Sequence, residues 1–255
     1  MGATIRGLAI LQAVALLAGC MSTRTAVQAP VLSQLGRDTD VLMVGEIHGT
    51  AEAPAAFGGL VEQAAARKRI AVGLELPDSA IAEAACRSER PAEGSYWLRP
   101  RQDGRTSRAM RALVCRLTAL RARRRITLFG FAPAARPQPG RHPYADIVQS
   151  RARPGGAPML LLMGNFHNRR APGSLAQALS DAGLRVVAVT VSSPAGTAFT
   201  CDRDGQCGPR PTTARFCQVE SPAPVLLVGA AAGLPAELKW DGCLILPSTT
   251  SSPPA

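Results

Sequence analysis

The sequence predicts an α/β domain with a mostly parallel central sheet covered by helices on both faces. Two observations lead there. The strand candidates are continuous apolar runs without polar alternation, the pattern of strands buried on both sides. They also alternate with segments of helical length, as strand–helix–strand units require. In order, the chain reads as a strand at 40–44 within DVLMVGEIHGT, a helix near 52–68, a strand at 70–75 (IAVGLE) and a short helix near 79–86. The Pro- and Gly-containing loop RPAEGSYWLRPRQDG leads into an arginine-rich helix at about 105–124. Next come strand ITLFGF, a Pro-rich loop at 133–143, a helix near 143–152, strand MLLLM, helix PGSLAQALSDAG and strand LRVVAVTV. Beyond residue 194 the chain turns Cys- and Pro-rich, with short strand candidates at VLLVGA and CLILP; this segment reads as an appendage to the same domain. The domain is therefore set at 37–247, followed by a disordered tail, STTSSPPA, at 248–255.

The N-terminus carries an address. MGATIRGLAILQAVALLAGC has one arginine, a short apolar run and then Leu17-Ala18-Gly19-Cys20, the form of a bacterial lipoprotein cleavage box. The run is too short for a spanning helix. Residues 1–19 thus read as a signal peptide and 20–36 as a lipidated Cys20 with its tether. Met21, rather than an aspartate, follows the cysteine, which favours sorting to the periplasmic face of an outer membrane. Six further cysteines and no CxxC pair suit disulfides in an exported domain; proximity suggests Cys86 with Cys115, Cys201 with Cys207 and Cys217 with Cys243. Net charge is +11, nearly all of the positive charge arginine. Outside the cytoplasm, anionic lipid or another anionic ligand is a better partner for it than nucleic acid.

The chemistry sits at strand ends. Of only three histidines, two follow a strand in the same way: strand, glycine, two residues, histidine, once at GEIH and once at GNFH. In parallel α/β sheets ligands bind outside the carboxyl ends of the strands, so Glu46, His48, Glu75, Asn165 and His167 should meet at one edge. Residues two apart in extended chain share a side, which aligns Glu46 with His48. Gly45 and Gly164 would permit a sharp turn or a close approach. His142, in a Pro-rich loop, reads as solvated. Two imidazoles and two carboxylates could hold zinc, manganese or iron, with Glu46, His48, Glu75 and His167 as ligands. They could hydrolyse a substrate without metal, a histidine acting as general base. They could instead bind haem through histidine or through Tyr96 or Tyr144, the two tyrosines, with arginine on the propionates. No GxSxG elbow, HExxH helix or phosphate loop is present. Arg101, Arg105, Arg108 and Arg111 recur at helical spacing as a solvated stripe; Arg105 and Ser107 fall at the helix start, where anions are favoured.

GEIH and GNFH, with LELP between them and DGRTSRAM further on, resemble the superfamily that includes ChaN haem-binding lipoproteins, Tiki-type metalloproteases, TraB-related proteins and erythromycin esterases. The likeness covers roughly residues 38–190. It implies that Glu46, His48, Glu75 and His167 are active positions and that Arg105 matches a family arginine. The leader and the chain length favour the ChaN branch. That branch implies haem binding in iron acquisition, with a haem site formed between the two protomers of a homodimer. The alternatives are an esterase- or peptidase-type hydrolase using the same residues, with or without a divalent metal, and a non-catalytic envelope attachment protein.

Overall fold

The computed structural model describes residues 27–88, 90–98, 104–132, 142–152, 156–202, 204–212 and 214–255. The signal peptide, Cys20, residues 21–26 and Arg101 lie outside the described residues; the rest of the segment read as a tether, 27–36, is part of the domain, with Val27, Leu32 and Leu35 buried in its core. Among the described residues no helix is long and apolar enough to cross a membrane.

The strands form where the apolar runs lie: β1 (Val41–Glu46), β2 (Ile70–Leu74), β3 (Ile126–Gly130), β4 (Met159–Gly164) and β5 (Val186–Ser192). Two late strands, β8 (Val225–Val228) and β9 (Gly242–Ile245), complete a seven-stranded sheet of order β3-β2-β4-β1-β5-β9-β8. The first six pair in parallel, and β8 runs antiparallel to β9. Part of the C-terminal segment therefore belongs to the central sheet. The rest includes a separate hairpin, β6 (Thr197–Cys201) with β7 (Cys207–Pro211).

Successive strand residues point to opposite faces, and both faces are apolar. Leu42, Val44, Leu160 and Leu162 pack with Phe57, Leu60 and Val61 of α1 (Glu52–Arg67) and with Leu113 and Leu117 of α3 (Arg108–Ala122). Met43, Leu161 and Met163 pack on the other side with Val148 of α4 (Ala145–Arg151) and Leu175 and Leu179 of α5 (Leu175–Asp181). This double burial is why the strands show no alternation. The short α2 (Asp78–Ala82) leads to the buried Trp97, whose indole N–H donates to the Ala80 carbonyl at 2.8 Å. Disulfides join Cys86 to Cys115, Cys201 to Cys207 and Cys217 to Cys243. The first ties the segment after α2 to α3, and closing a loop of that size stabilises by roughly 3–4 kcal/mol through the unfolded chain.

Three further expectations change. The arginine-rich helix begins at Arg108 rather than near 105, because Ser107 has extended backbone and its hydroxyl accepts from the Met110 amide, a helix N-cap. Arg105 is thereby left in the preceding turn. The solvated stripe is also incomplete: the Arg111 guanidinium donates to the carbonyls of Ala84, Ala85 and Ser88. The C-terminal tail, read as disordered, lies against the domain. The Arg108 amide donates to Pro253 O and the Ala109 amide to the Ser252 hydroxyl, so the tail satisfies two N–H groups that a helix start leaves without an internal partner. Polar, short side chains gave no apolar pattern to betray this, because the pairing runs largely through backbone.

Candidate functional site

β1 and β4 are neighbours, but the chain leaves them toward opposite faces, α1 from β1 and α5 from β4. Such a divergence opens a crevice at the carboxyl ends of the two strands. A cleft of about 630 Å³ lies there, with Glu46, His48, Glu75, Arg105, Tyr144, Asn165 and His167 in its wall. Five of these seven are the strand-end residues singled out from the sequence.

Glu75 is the hub. It follows β2, its side chain is 3 % exposed, and its amide bonds to Leu162 O of β4. Its Oε1 accepts from the Tyr144 hydroxyl at 2.8 Å and from Arg105 Nη1 at 3.2 Å; its Oε2 accepts from the Gly164 amide at 2.7 Å. His48 Nε2 stands 3.5 Å from Oε2, and His167 Nε2 stands 3.7 Å from Oε1. On the other side of the His48 ring, Nδ1 is 3.2 Å from Glu46 Oε1. A buried carboxylate is costly unless its lone pairs are met, and here donors from four separate segments meet them.

The two glycines act by close approach rather than by special backbone angles. A Cβ on Gly164 would lie 3.0 Å from His48 Nε2, and one on Gly45 would lie 2.4 Å from Asn168 Oδ1. Asn168 in turn donates to Val189 O and accepts from the Trp240 indole, which fixes the loop carrying His167.

The electrostatics separate the imidazoles. Burial opposes charge on His48, but its hydrogen bonds to Glu46 and Glu75 outweigh that and raise its pKa to about 10. Burial likewise opposes charge on Glu75, yet the His48 contact, the Gly164 amide and Arg105 hold it down to about 2. His167 is lowered, by burial first and then by the charges of His48 and Arg105 against the pull of Glu75. His142 falls to about 4 through burial and the proximity of His167. Burial and the Glu75 charge push the Tyr144 phenol above its ordinary range. At neutral pH the cleft therefore sets a charged His48 and an arginine against a neutral His167, beside whose ring the neutral His142 packs.

His142 corrects the sequence reading. It is half-buried rather than solvated, with its ring 5.2 Å from Tyr144 and 5.7 Å from His167. Tyr96 is the other correction: it lies in the turn beside Trp97, its amide donating to Glu83, and takes no part in the cleft wall. Phe166, Thr200 and Phe216 line the cleft without having been foreseen. Thr200 and Phe216 come from the C-terminal segment, and no local pattern links them to β1 or β4. Phe166 could have been suspected, since it lies inside the second GxxH.

A haem or metal can be tested against these residues. Among the described residues, no group of three or more His, Cys, Asp or Glu side chains is arranged to hold a metal ion. Both oxygens of Glu75 already accept hydrogen bonds, so the donor set works as an ion-pair network and no step below passes through a metal. For haem, the Tyr144 hydroxyl is committed to Glu75 and His48 is held protonated; His167, 39 % exposed and neutral, is the imidazole suited to an iron.

No protein-family model matches the chain, and no curated protein matches it. In fold it is similar to the crystal structure of a protein from Bacillus cereus, with a TM-score of 0.61 over 89 % of this chain and 92 % of that one, at 9 % sequence identity. At that identity the likeness bears on the fold alone: a mostly parallel α/β sheet flanked by helices.

Proposed function

We propose that the cleft hydrolyses an ester or related acyl bond by acid–base chemistry carried by the protein's own side chains. The observation behind this reading is the split between two imidazoles that share one carboxylate, His48 held charged and His167 neutral. Titratable neighbours driven apart in this way mark acid and base roles. His167 takes a proton from water as the hydroxide attacks the acyl carbon. The carbonyl electron pair moves to oxygen, and the positive field of His48 and Arg105 stabilises that developing charge. Collapse expels the alcohol, which takes back the proton from His167. Glu75 keeps His48 protonated and Arg105 aimed, while Glu46 holds the far side of the His48 ring. The resemblance of GEIH and GNFH to a superfamily that includes erythromycin esterases agrees with this reading.

A panel of short- and medium-chain aryl esters, assayed with the untagged protein and with His167→Ala, tests it. Loss of a general base lowers turnover by about 10²- to 10⁴-fold. Turnover unchanged in the variant, or none by the folded parent on any ester or peptide tried, removes the proposal.

A second reading, haem binding in iron acquisition by a ChaN-like protein, is favoured by one feature: Phe166, 71 % exposed, flanks the neutral His167 at a cleft of about 630 Å³. Flat apolar ligands suit such a wall. A hemin titration separates the two readings: a saturable Soret shift lost in His167→Ala and kept in Tyr96→Phe supports haem. In either case we read the N-terminus as a lipid anchor at the cell envelope, which mass spectrometry of the mature chain would reveal as acyl groups on Cys20.

A further inference from the structure

Opposite the cleft, at the amino ends of β2 and β3, the molecule carries a second feature with no role in the chemistry above. Helix α1 ends at Arg67 and β2 begins at Ile70; helix α3 ends at Ala122 and β3 begins at Ile126. Ile70 pairs with Ile126, so the connections 67–69 and 123–125 lie side by side. Between them they present Arg67, Arg69, Arg123, Arg124 and Arg125, with Arg121 just before, and all six are exposed. No carboxylate occurs in either connection, and none of the six side chains has an ion-pair or hydrogen-bond acceptor among the described residues. Arg116 and Arg185, by contrast, pair with Glu62 and Asp40.

The helix dipoles explain only part of this. Cations are favoured within the last turn of a helix, which covers Arg67 and Arg121. Arg69 and the run 123–125 lie past the helix ends. Six like charges on adjacent loops repel one another, and an external polyanion relieves that repulsion. We propose that this face docks on a lipid surface bearing anionic headgroups, with the cleft turned away from it.

The chemistry favours lipid over other polyanions. The hollow among these residues is only about 120 Å³, too shallow to enclose a free phosphorylated metabolite, so the face suits many phosphates presented together. Arginine binds phosphate oxygens in pairs. Neither connection contains an aromatic residue on which single-stranded bases could stack. Clusters of this number are sufficient for attachment to acidic membranes, and a lipidated Cys20 would keep the face close to one. Docking through this face does not depend on what the cleft does.

The test is partitioning of the full chain between buffer and vesicles of pure phosphatidylcholine or of phosphatidylcholine with phosphatidylglycerol. The N-terminal apolar segment contributes to both, so the ratio of the two partition coefficients reads the arginine face. With Arg67, Arg69, Arg123 and Arg125 all changed to Gln, that ratio should fall at least fiftyfold at low salt, since each cation contributes about fivefold. High salt should lower the parent's ratio in the same direction. A ratio near one for the parent, or an equal ratio for the variant, overturns the proposal. So does tight binding of a duplex or single-stranded oligonucleotide by a protein that shows no preference for the acidic vesicles.

Discussion

The two GxxH units are near-copies in sequence and opposites in environment. Each sets a histidine three residues beyond a glycine at the end of a buried parallel strand, β1 for His48 and β4 for His167. In the first unit the residue after glycine is Glu46, whose carboxylate reaches the ring; in the second it is Asn165, which brings no charge. His48 is 19 % exposed and clasped by two carboxylates, whereas His167 is 39 % exposed and stands 3.7 Å from one. Spacing brings an imidazole to the edge, and its neighbours decide whether it carries a proton. A repeated motif is therefore not a repeated function.

The strongest way to break the contrast is Glu75→Gln. It removes the acceptor shared by His48, Arg105 and Tyr144 and leaves buried charge without its partner, a change that costs about 3–5 kcal/mol. Urea unfolding at pH 7 should show the loss, together with the loss of ester turnover. Retention of parental stability would mean that the network is not the hub described above. His167→Ala should separate the two effects: turnover falls by the 10²- to 10⁴-fold of a missing base, while the urea midpoint moves little, since the ring is partly in solvent. Asn165→Glu should sharpen the comparison by making the second unit resemble the first. A carboxylate beside His167 should raise its pKa and move the acidic limb of the pH–rate profile upward; an unmoved limb would mean that some other group sets it.

Stability against pH tests the same contrast, since there the histidines should oppose one another. His48, raised from 6.5 to about 10, contributes stability that is fully present below pH 6.5 and is lost as pH rises through about 10. His142, lowered to about 4, contributes in the reverse sense: its share is present above 6.5 and is lost as pH falls toward 4. Unfolding midpoints across that range should fall on both sides of neutrality. In His48→Gln the alkaline fall should flatten and the acid one remain.

Much of this is legible in the sequence. β1 to β5 announce themselves because burial on both faces forces unbroken apolar runs, and the parallel topology then sends Glu46, His48, Glu75 and His167 to one edge. The cysteine pairs followed from proximity. Tyr144, in the cleft wall, and His142, packed against His167, are harder to read, since no period in the sequence links them to β1 or β4. Tyr96 shows the converse: as one of two tyrosines it was a fair candidate ligand, but packing beside Trp97 carries it elsewhere. Arg105 faces the cleft from the turn before α3, because the Ser107 cap starts that helix only at Arg108. The tail from Thr249 to Ala255 pairs mostly through backbone, a form of binding that composition does not encode.

The opposed protonation of the two GxxH imidazoles is tested by a ¹H–¹⁵N NMR titration of the three histidines in untagged protein, each assigned through its His→Gln variant. At pH 7 His48 should be protonated, and stay so past pH 9, while His142 and His167 should be neutral. A His48 that titrates near 6.5, or a His167 that is charged at pH 7, would contradict the division of roles on which the proposed chemistry rests.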